Sequence, residues 1–245
     1  MQNPKSELRK YLNTLIYRLL YIKGLNYQLK LLKEWETPKR LIALEMGAYF
    51  FRLVLFSFNR TLLIELCMLL DDREKRGVID WLGKAYRFAK SLEIKSHNSY
   101  TSKHEIVEIS VYRDFISKHQ KLLASKKDLI KRIKSRRDKV LVHSDARFFN
   151  KPSDIYVKFP LSTKDIDDLI GILTDILKEH YNYLIGGDLD INVHATSNVD
   201  TILLYTRAFN RVWFDKRATF LFPNFYKLDN FEDKLKEHLE RQSNK

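Results

Sequence analysis

Cysteine is almost absent, with one residue, Cys67, in a chain of 245. A lone cysteine excludes an intrachain disulfide and any zinc site built on paired cysteines, and it suits a reducing, cytoplasmic setting. Glycine and proline are scarce as well, at seven and five. That speaks against Gly-rich phosphate loops, collagen-like repeats and a turn-dense β-sandwich. A long uninterrupted apolar run is also missing. The most hydrophobic region, Leu41 to Leu70, contains Glu45, Arg52, Arg60 and Glu65, so it reads as a buried amphipathic helix and not as a membrane span. Arg9, Lys10, Arg18 and Lys23 alternate with apolar residues near the start, so no secretory signal is expected there.

What is present is enough to fold. Hydrophobic residues make up 44% and aromatic residues 13%, which suits a sizeable core in one domain or two small ones. Lys plus Arg number 44 against 31 Asp plus Glu, a formal charge of +13. Such an excess implies an acidic partner, nucleic acid first and an anionic membrane surface second, with no specific partner as the third alternative.

The apolar spacing is helical nearly throughout. Leu8, Leu12, Leu15, Ile16, Leu19, Leu20 and Ile22 recur every three or four residues, and that helix is expected to run to about Trp35. Thr37-Pro38 reads as an N-cap and first helical residue, opening a helix to about Leu70. A shorter helix is expected from Val78 to about Leu92, with Trp81, Ala85, Phe88 and Ala89 on its inner face. Lys95 to Lys103 is polar and reads as a loop. A long helix or a broken pair covers Glu105 to about Val142. Two prolines and the β-like Ile155-Tyr156-Val157 mark a loop or small hairpin around 145–160. Ser162 with Asp165 resembles a capping box opening a helix that ends near Gly186-Gly187. Ser197 with Asp200 opens another, and Phe231 to Glu240 reads as the last. The expected architecture is therefore an all-α, up-and-down helical bundle over 1–187, with residues 188–245 a helical appendage packed on the same domain.

The charge concentrates between Lys118 and Lys139, where Lys118, Lys121, Lys126, Lys127, Lys131, Arg132, Lys134, Arg136, Arg137 and Lys139 face only Asp128 and Asp138. Such a run is either a solvated helix face or a stripe that tracks phosphates. It leads into Arg136-Arg137-Asp138-Lys139-Val140-Leu141-Val142-His143-Ser144-Asp145. Histidine transfers protons near neutral pH, and arginine can stabilise an anionic phosphorane without a metal. An Arg, a polar residue and a His are therefore sufficient parts for cleaving RNA through its own 2′-hydroxyl. With 17 Arg and seven His, the bare spacing also arises by chance, and Arg113-Asp114 followed by His119 is a second copy. That copy lies inside a continuous helix, where residues six apart point about 120° from each other, and it reads as a surface feature. Arg136 lies seven residues from His143 and would share its face on an α-helix, so Arg136 and Arg137 are rivals for the catalytic arginine.

Arg137-Asp138 followed by His143-Ser144-Asp145, after a basic helix and before a capped amphipathic one, resembles the motif of the HEPN superfamily. Leu66-Cys67-Met68-Leu69-Leu70-Asp71-Asp72 with a short helix after it, and the run from Ser162 to Gly187, resemble the abortive-infection U type of HEPN protein. The resemblance covers roughly residues 8 to 187. It implies a helical bundle that dimerises with two motifs facing each other, acting as a metal-independent endoribonuclease in toxin–antitoxin, abortive-infection or antiviral defence. It also implies that Arg137 stabilises charge on the scissile phosphate, His143 transfers protons and Asp138 orients the pair. Lys131, Lys134, Arg136 and Lys139 are the expected RNA contacts. The partners implied are RNA, a second copy and a regulatory protein such as an antitoxin, with no membrane, cofactor or metal. One departure is Asp145, where HEPN toxins silenced by nucleotidylation carry tyrosine; Asp145 could instead pair with His143 or an arginine.

Other residues invite a blander reading. Trp81, Tyr49, Phe50, Phe51, Phe56 and Phe58 sit at helical spacing and are expected in the core. His97, His104, His180, His194 and His238 lack a second ligand at metal spacing. Asp165, Asp167 and Asp168 fit the first turn of a helix. Arg207, Arg211, Lys216 and Arg217 interleave with Phe209, Trp213 and Phe214 in a second basic–aromatic patch, either a folded rim or a single-strand platform. Two other function classes stand beside the enzyme: a catalytically inactive HEPN module binding RNA or a partner protein, and a helical scaffold whose motif match is accidental.

Overall fold

A computed structural model describes residues 4–33, 48–71, 76–92, 94–98, 103–142, 154–187 and 189–191. Contacts divide the chain into one unit of residues 1–26 and 58–194 and another of 27–57 and 195–245. The elements, in order, are α1 (Pro4–Lys33), α2 (Ala48–Leu70), α3 (Val78–Phe88) with a 3₁₀ turn (Ala89–Ser91), β1 (Lys95–Asn98), β2 (Lys103–Ile106), α4 (Ile109–Ser125), α5 (Lys127–Arg136), a wide π-type turn (Arg137–Val142), α6 (Asp154–Lys158) and α7 (Thr163–Leu184). The fold is an all-α bundle with one two-stranded hairpin added to it.

The core of the first unit forms where the 3.6-residue period aligns apolar faces. α1 buries Leu8, Leu12, Leu15, Ile16, Leu19 and Ile22, and α7 buries Ile166, Leu169, Ile170, Leu173, Ile176 and Leu177. These two helices run antiparallel. Arg9 Nε donates to the Leu184 carbonyl at 2.7 Å, and Asn26 Nδ2 donates to Asp167 Oδ1 at 2.7 Å. The first bond sets a cation at the carbonyl end of α7, where the helix dipole favours it. Trp81, fully buried on α3, donates its indole N–H to the Leu8 carbonyl at 3.1 Å, so the ring is packed without an orphaned donor. Gly77 precedes α3 because nothing larger fits. A Cβ there would come within 2.7 Å of the Leu69 carbonyl oxygen.

α7 starts as its capping box requires. The Ser162 side chain accepts from the Asp165 N–H at 3.0 Å, and the Asp165 carboxylate accepts from the Ser162 N–H at 2.8 Å. It ends at Gly186 and Gly187, with φ of 86° and 103°, values that favour glycine.

Several expectations need correction. The polar segment from Lys95 is strand, not loop. Lys95 pairs with Ile106, Ser96 with Glu105, His97 with His104 and Asn98 with Lys103. Its side chains have little β-propensity, but Ile94 is buried, and its carbonyl accepts from the Val107 N–H at 3.0 Å, so anchoring from outside the strands sets the pairing. Ile155-Tyr156-Val157 is a helical turn within α6, because no strand lies alongside among the described residues and only Ile155 turns inward. Tyr49, Phe50 and Phe56 are exposed, whereas Phe51 and Trp81 are buried and Phe58 is half-buried. Their helix, Ala48–Leu70, is the one described helix long and apolar enough to cross a membrane. Arg52, Arg60 and Glu65 interrupt it, and its last turns bury Leu62, Leu66, Cys67, Leu69 and Leu70. Trp35, Thr37-Pro38, most of the 145–160 segment, and the helices and basic–aromatic patch beyond residue 191 lie outside the described residues.

Candidate functional site

The site is built where α2 ends and α5 gives way to the wide turn. Asp71 closes α2, its N–H bonded to the Cys67 carbonyl at 2.8 Å, and its side chain is buried. A buried carboxylate is tolerated only with compensating charge and hydrogen bonds. Lys134 Nζ lies 3.1 Å from Asp71 Oδ1, and the outer guanidinium nitrogen of Arg137 lies 3.6 Å from Oδ2. Arg137 Nε also donates to Asp138 Oδ1 at 2.7 Å. Burial alone would lower the Arg137 pKa, but the Asp138 hydrogen bond, Cys67, and the charges of Asp138 and Asp71 raise it overall. The guanidinium is a fixed cation held from two sides. Cys67, one turn before Asp71, is pushed up to about 12, chiefly by burial, with Arg137 and Lys134 opposing. It stays a thiol at neutral pH and is no nucleophile.

The rival arginines point to different tasks. Arg136 Nε donates to the Phe159 carbonyl at 2.6 Å, and its guanidinium lies 4.9 Å from the Tyr156 ring. Burial lowers its pKa, with Tyr156 opposing and Arg132 adding. Arg132 donates to the Pro160 carbonyl at 2.6 Å, and Lys139 Nζ lies 5.1 Å from the Phe159 ring. Arg132, Arg136 and Lys139 thus hold the segment Asp154–Pro160 against α5, and only Arg137 of the pair joins the acidic cluster. The turn Arg137–Val142 is wider than an α-helical turn, so a phase argument based on 3.6 residues does not carry from Arg136 to His143. Such π-type turns are frequent at functional sites. His143, Ser144 and Asp145 lie outside the described residues.

The stripe therefore divides. Lys127 and Lys131 are exposed, whereas Lys134, Arg132 and Arg136 spend their charge on protein partners. The sequence marked Asp71 as a helix end and as part of the Leu66–Asp72 stretch, but gave it no part in the site, although an acid directly after a buried apolar run was the available signal.

The second Arg–His pair is not a surface feature. His119 is 4% exposed, on the face of α4 that also buries Tyr112, Ile116 and Leu123. Its Nδ1 lies 3.1 Å from His180 Nε2, and its Nε2 lies 3.1 Å from Glu179 Oε2. His180 Nδ1 in turn lies 3.1 Å from the Tyr112 hydroxyl. Burial, with Lys118 adding and Asp175 opposing, lowers His119 to about 4, and burial beside His119 takes His180 well below its usual value. Both rings are neutral at physiological pH and tie α4 to α7. Arg113 turns elsewhere, 5.0 Å from the Tyr86 ring. Among the described residues, no group of three or more His, Cys, Asp or Glu is placed to hold a metal ion.

No curated protein and no solved structure matches the chain. A family model described as AbiU2, of HEPN type, matches residues 7–202. That range takes in the buried faces of α1 and α7, the Asp71 cluster and the Arg137-Asp138 turn. The chain belongs to the AbiU2 family of HEPN proteins.

Proposed function

We propose that this chain is a metal-independent endoribonuclease, a toxin or abortive-infection effector that works in the cytoplasm as a homodimer with RNA as substrate and a regulatory protein as partner. HEPN proteins are often ribonucleases, which gives the reading its class. The observation that carries it is Arg137, a permanent cation oriented by Asp71 and Asp138 at a wide turn six residues before His143. In the proposed reaction, the 2′-hydroxyl loses its proton and attacks the adjacent phosphorus. The 5′-oxygen leaves and gains a proton, and the products end in a 2′,3′-cyclic phosphate and a 5′-hydroxyl. His143 moves protons, Arg137 stabilises the phosphorane charge, Asp138 keeps the guanidinium aimed, and the exposed Lys131 meets the strand, with Lys134, Arg136 and Lys139 lining its path while held by protein partners.

A second reading follows from the same geometry. An arginine already paired with two carboxylates can be a structural brace, and the protein would then be an inactive HEPN module that binds RNA or a protein partner. Cleavage assays on Arg137→Gln, Arg136→Gln and His143→Ala separate the two. Loss of about 10²–10⁴-fold is expected for His143→Ala, and a comparable loss for Arg137→Gln, with Arg136→Gln retaining most activity. Salt-dependent RNA binding without cleavage by the wild type would establish the second reading.

A further inference from the structure

The helix breaks between α4 and α5 at Lys126, where φ is −94° and ψ is 11°, and beside that break lies a cavity of about 370 Å³. Its floor is aliphatic, made by Leu70, Ile79, Leu82, Leu123 and Ile130. Its rim carries Gln120, Lys127, Lys131 and Lys134. The volume falls in the range of small-ligand pockets, about 300–1,000 Å³, and apolar walls with a few polar groups at the mouth are their usual lining. Lys127, Lys131 and Lys134 occupy one face of α5 at intervals of four and three residues, a row roughly 10 Å long. The two exposed cations of that row, Lys127 and Lys131, suit a strand with successive charges better than a single anionic head group. Lys134 closes the row against Asp71, which also holds Arg137.

We propose that this cavity is the subsite for one unstacked base of an RNA strand whose phosphates lie along the exposed Lys127 and Lys131. The proposal rests on the RNA reading above and deepens it. No aromatic ring is among the residues that line the cavity, so the base is held by burial rather than stacking. Gln120, with one amide donor pair and one carbonyl acceptor, is the neutral polar group at the mouth able to meet the base edge. The subsite would set which nucleotide stands near the cleaved bond while the lysines supply affinity indifferent to sequence.

The test uses the full chain and 2′-O-methyl RNA, which lacks the internal nucleophile, so binding is read apart from cleavage. Anisotropy is measured for one oligonucleotide and for versions made abasic at each position in turn. In the wild type, one position should cost roughly tenfold in affinity when its base is removed. Ala124 lies exposed at the cavity, so Ala124→Phe fills the mouth and leaves every charge in place. It should bind the intact strand roughly tenfold more weakly, show no further abasic loss there, and keep the wild-type salt slope. Equal binding of all abasic strands by the wild type overturns the subsite, whatever the variant does. Dodecanoate bound by the wild type, lost in Ala124→Phe and indifferent to RNA, would also overturn it and make the cavity a lipid site. Absent or salt-independent RNA binding is a different result and removes the RNA reading itself.

Discussion

Asp71 joins three stretches of chain through one carboxylate, because Lys134 and Arg137 both converge on it. Replacing it by asparagine keeps the shape and leaves two cations facing a neutral amide. Since both cations keep partial access to water, Asp71→Asn should cost about 1–3 kcal/mol, read from the urea midpoint; an unchanged midpoint would show that the cluster does not depend on it. The His119–His180 pair makes a pH prediction. Both folded pKa values are depressed below the unfolded value of about 6.5, so the unfolded chain binds more protons and stability falls with pH from about 6.5 down toward about 4. The slope should reach about 1.4 kcal/mol per pH unit for each histidine. Glu179, raised by burial, works in the opposite sense at the acid end. Thermal melts between pH 7.5 and 4.5 check this, and His119→Gln should flatten the dependence. His119 was legible as a helix residue, but its burial was not, because a histidine on an apolar face reads the same whether its partner is water or another ring. His180, flanked in phase by Leu173, Leu177 and Leu184, was the available hint.

The elements written in local code were the most legible. Ser162 and Asp165 mark the start of α7, and the observed box agrees to the residue. Ser162→Ala should therefore lower stability by about 1 kcal/mol in thermal unfolding. The hairpin Lys95–Ile106 was missed because Lys-Ser-His-Asn has no strand signature and its pairing is set by Ile94 and Val107 outside the strands. α6 was missed for the converse reason, since Ile-Tyr-Val is strand-like in composition but meets arginines rather than a neighbouring strand. Removing that clamp with Arg136→Gln should speed hydrogen exchange across Asp154–Pro160 while leaving α7 protected. Uniform protection in that variant would mean that Arg132 and Ile155 suffice to hold the segment.

At the scale of the whole molecule, the excess of positive charge was plain in the composition, but its division between structural and available cations was not. Spacing alone cannot tell that Lys134 and Arg136 face protein while Lys127 and Lys131 face solvent. RNA affinity should fall steeply with salt, and Lys127→Gln with Lys131→Gln should reduce the log–log slope by about 0.7 for each phosphate that no longer meets a lysine. A homodimer is also expected, since a composite site needs two copies of Arg137 and His143 near a two-fold axis; a strictly monomeric mass in light scattering at micromolar concentration would contradict it. The most direct measurement is to incubate the wild-type chain with RNA in excess chelator and analyse the new ends. Cleavage should persist and leave 2′,3′-cyclic phosphate and 5′-hydroxyl termini, and His143→Ala should abolish it with the fold intact. Cleavage that stops with chelator and returns with magnesium, or ends that carry a 5′-phosphate, would contradict the account.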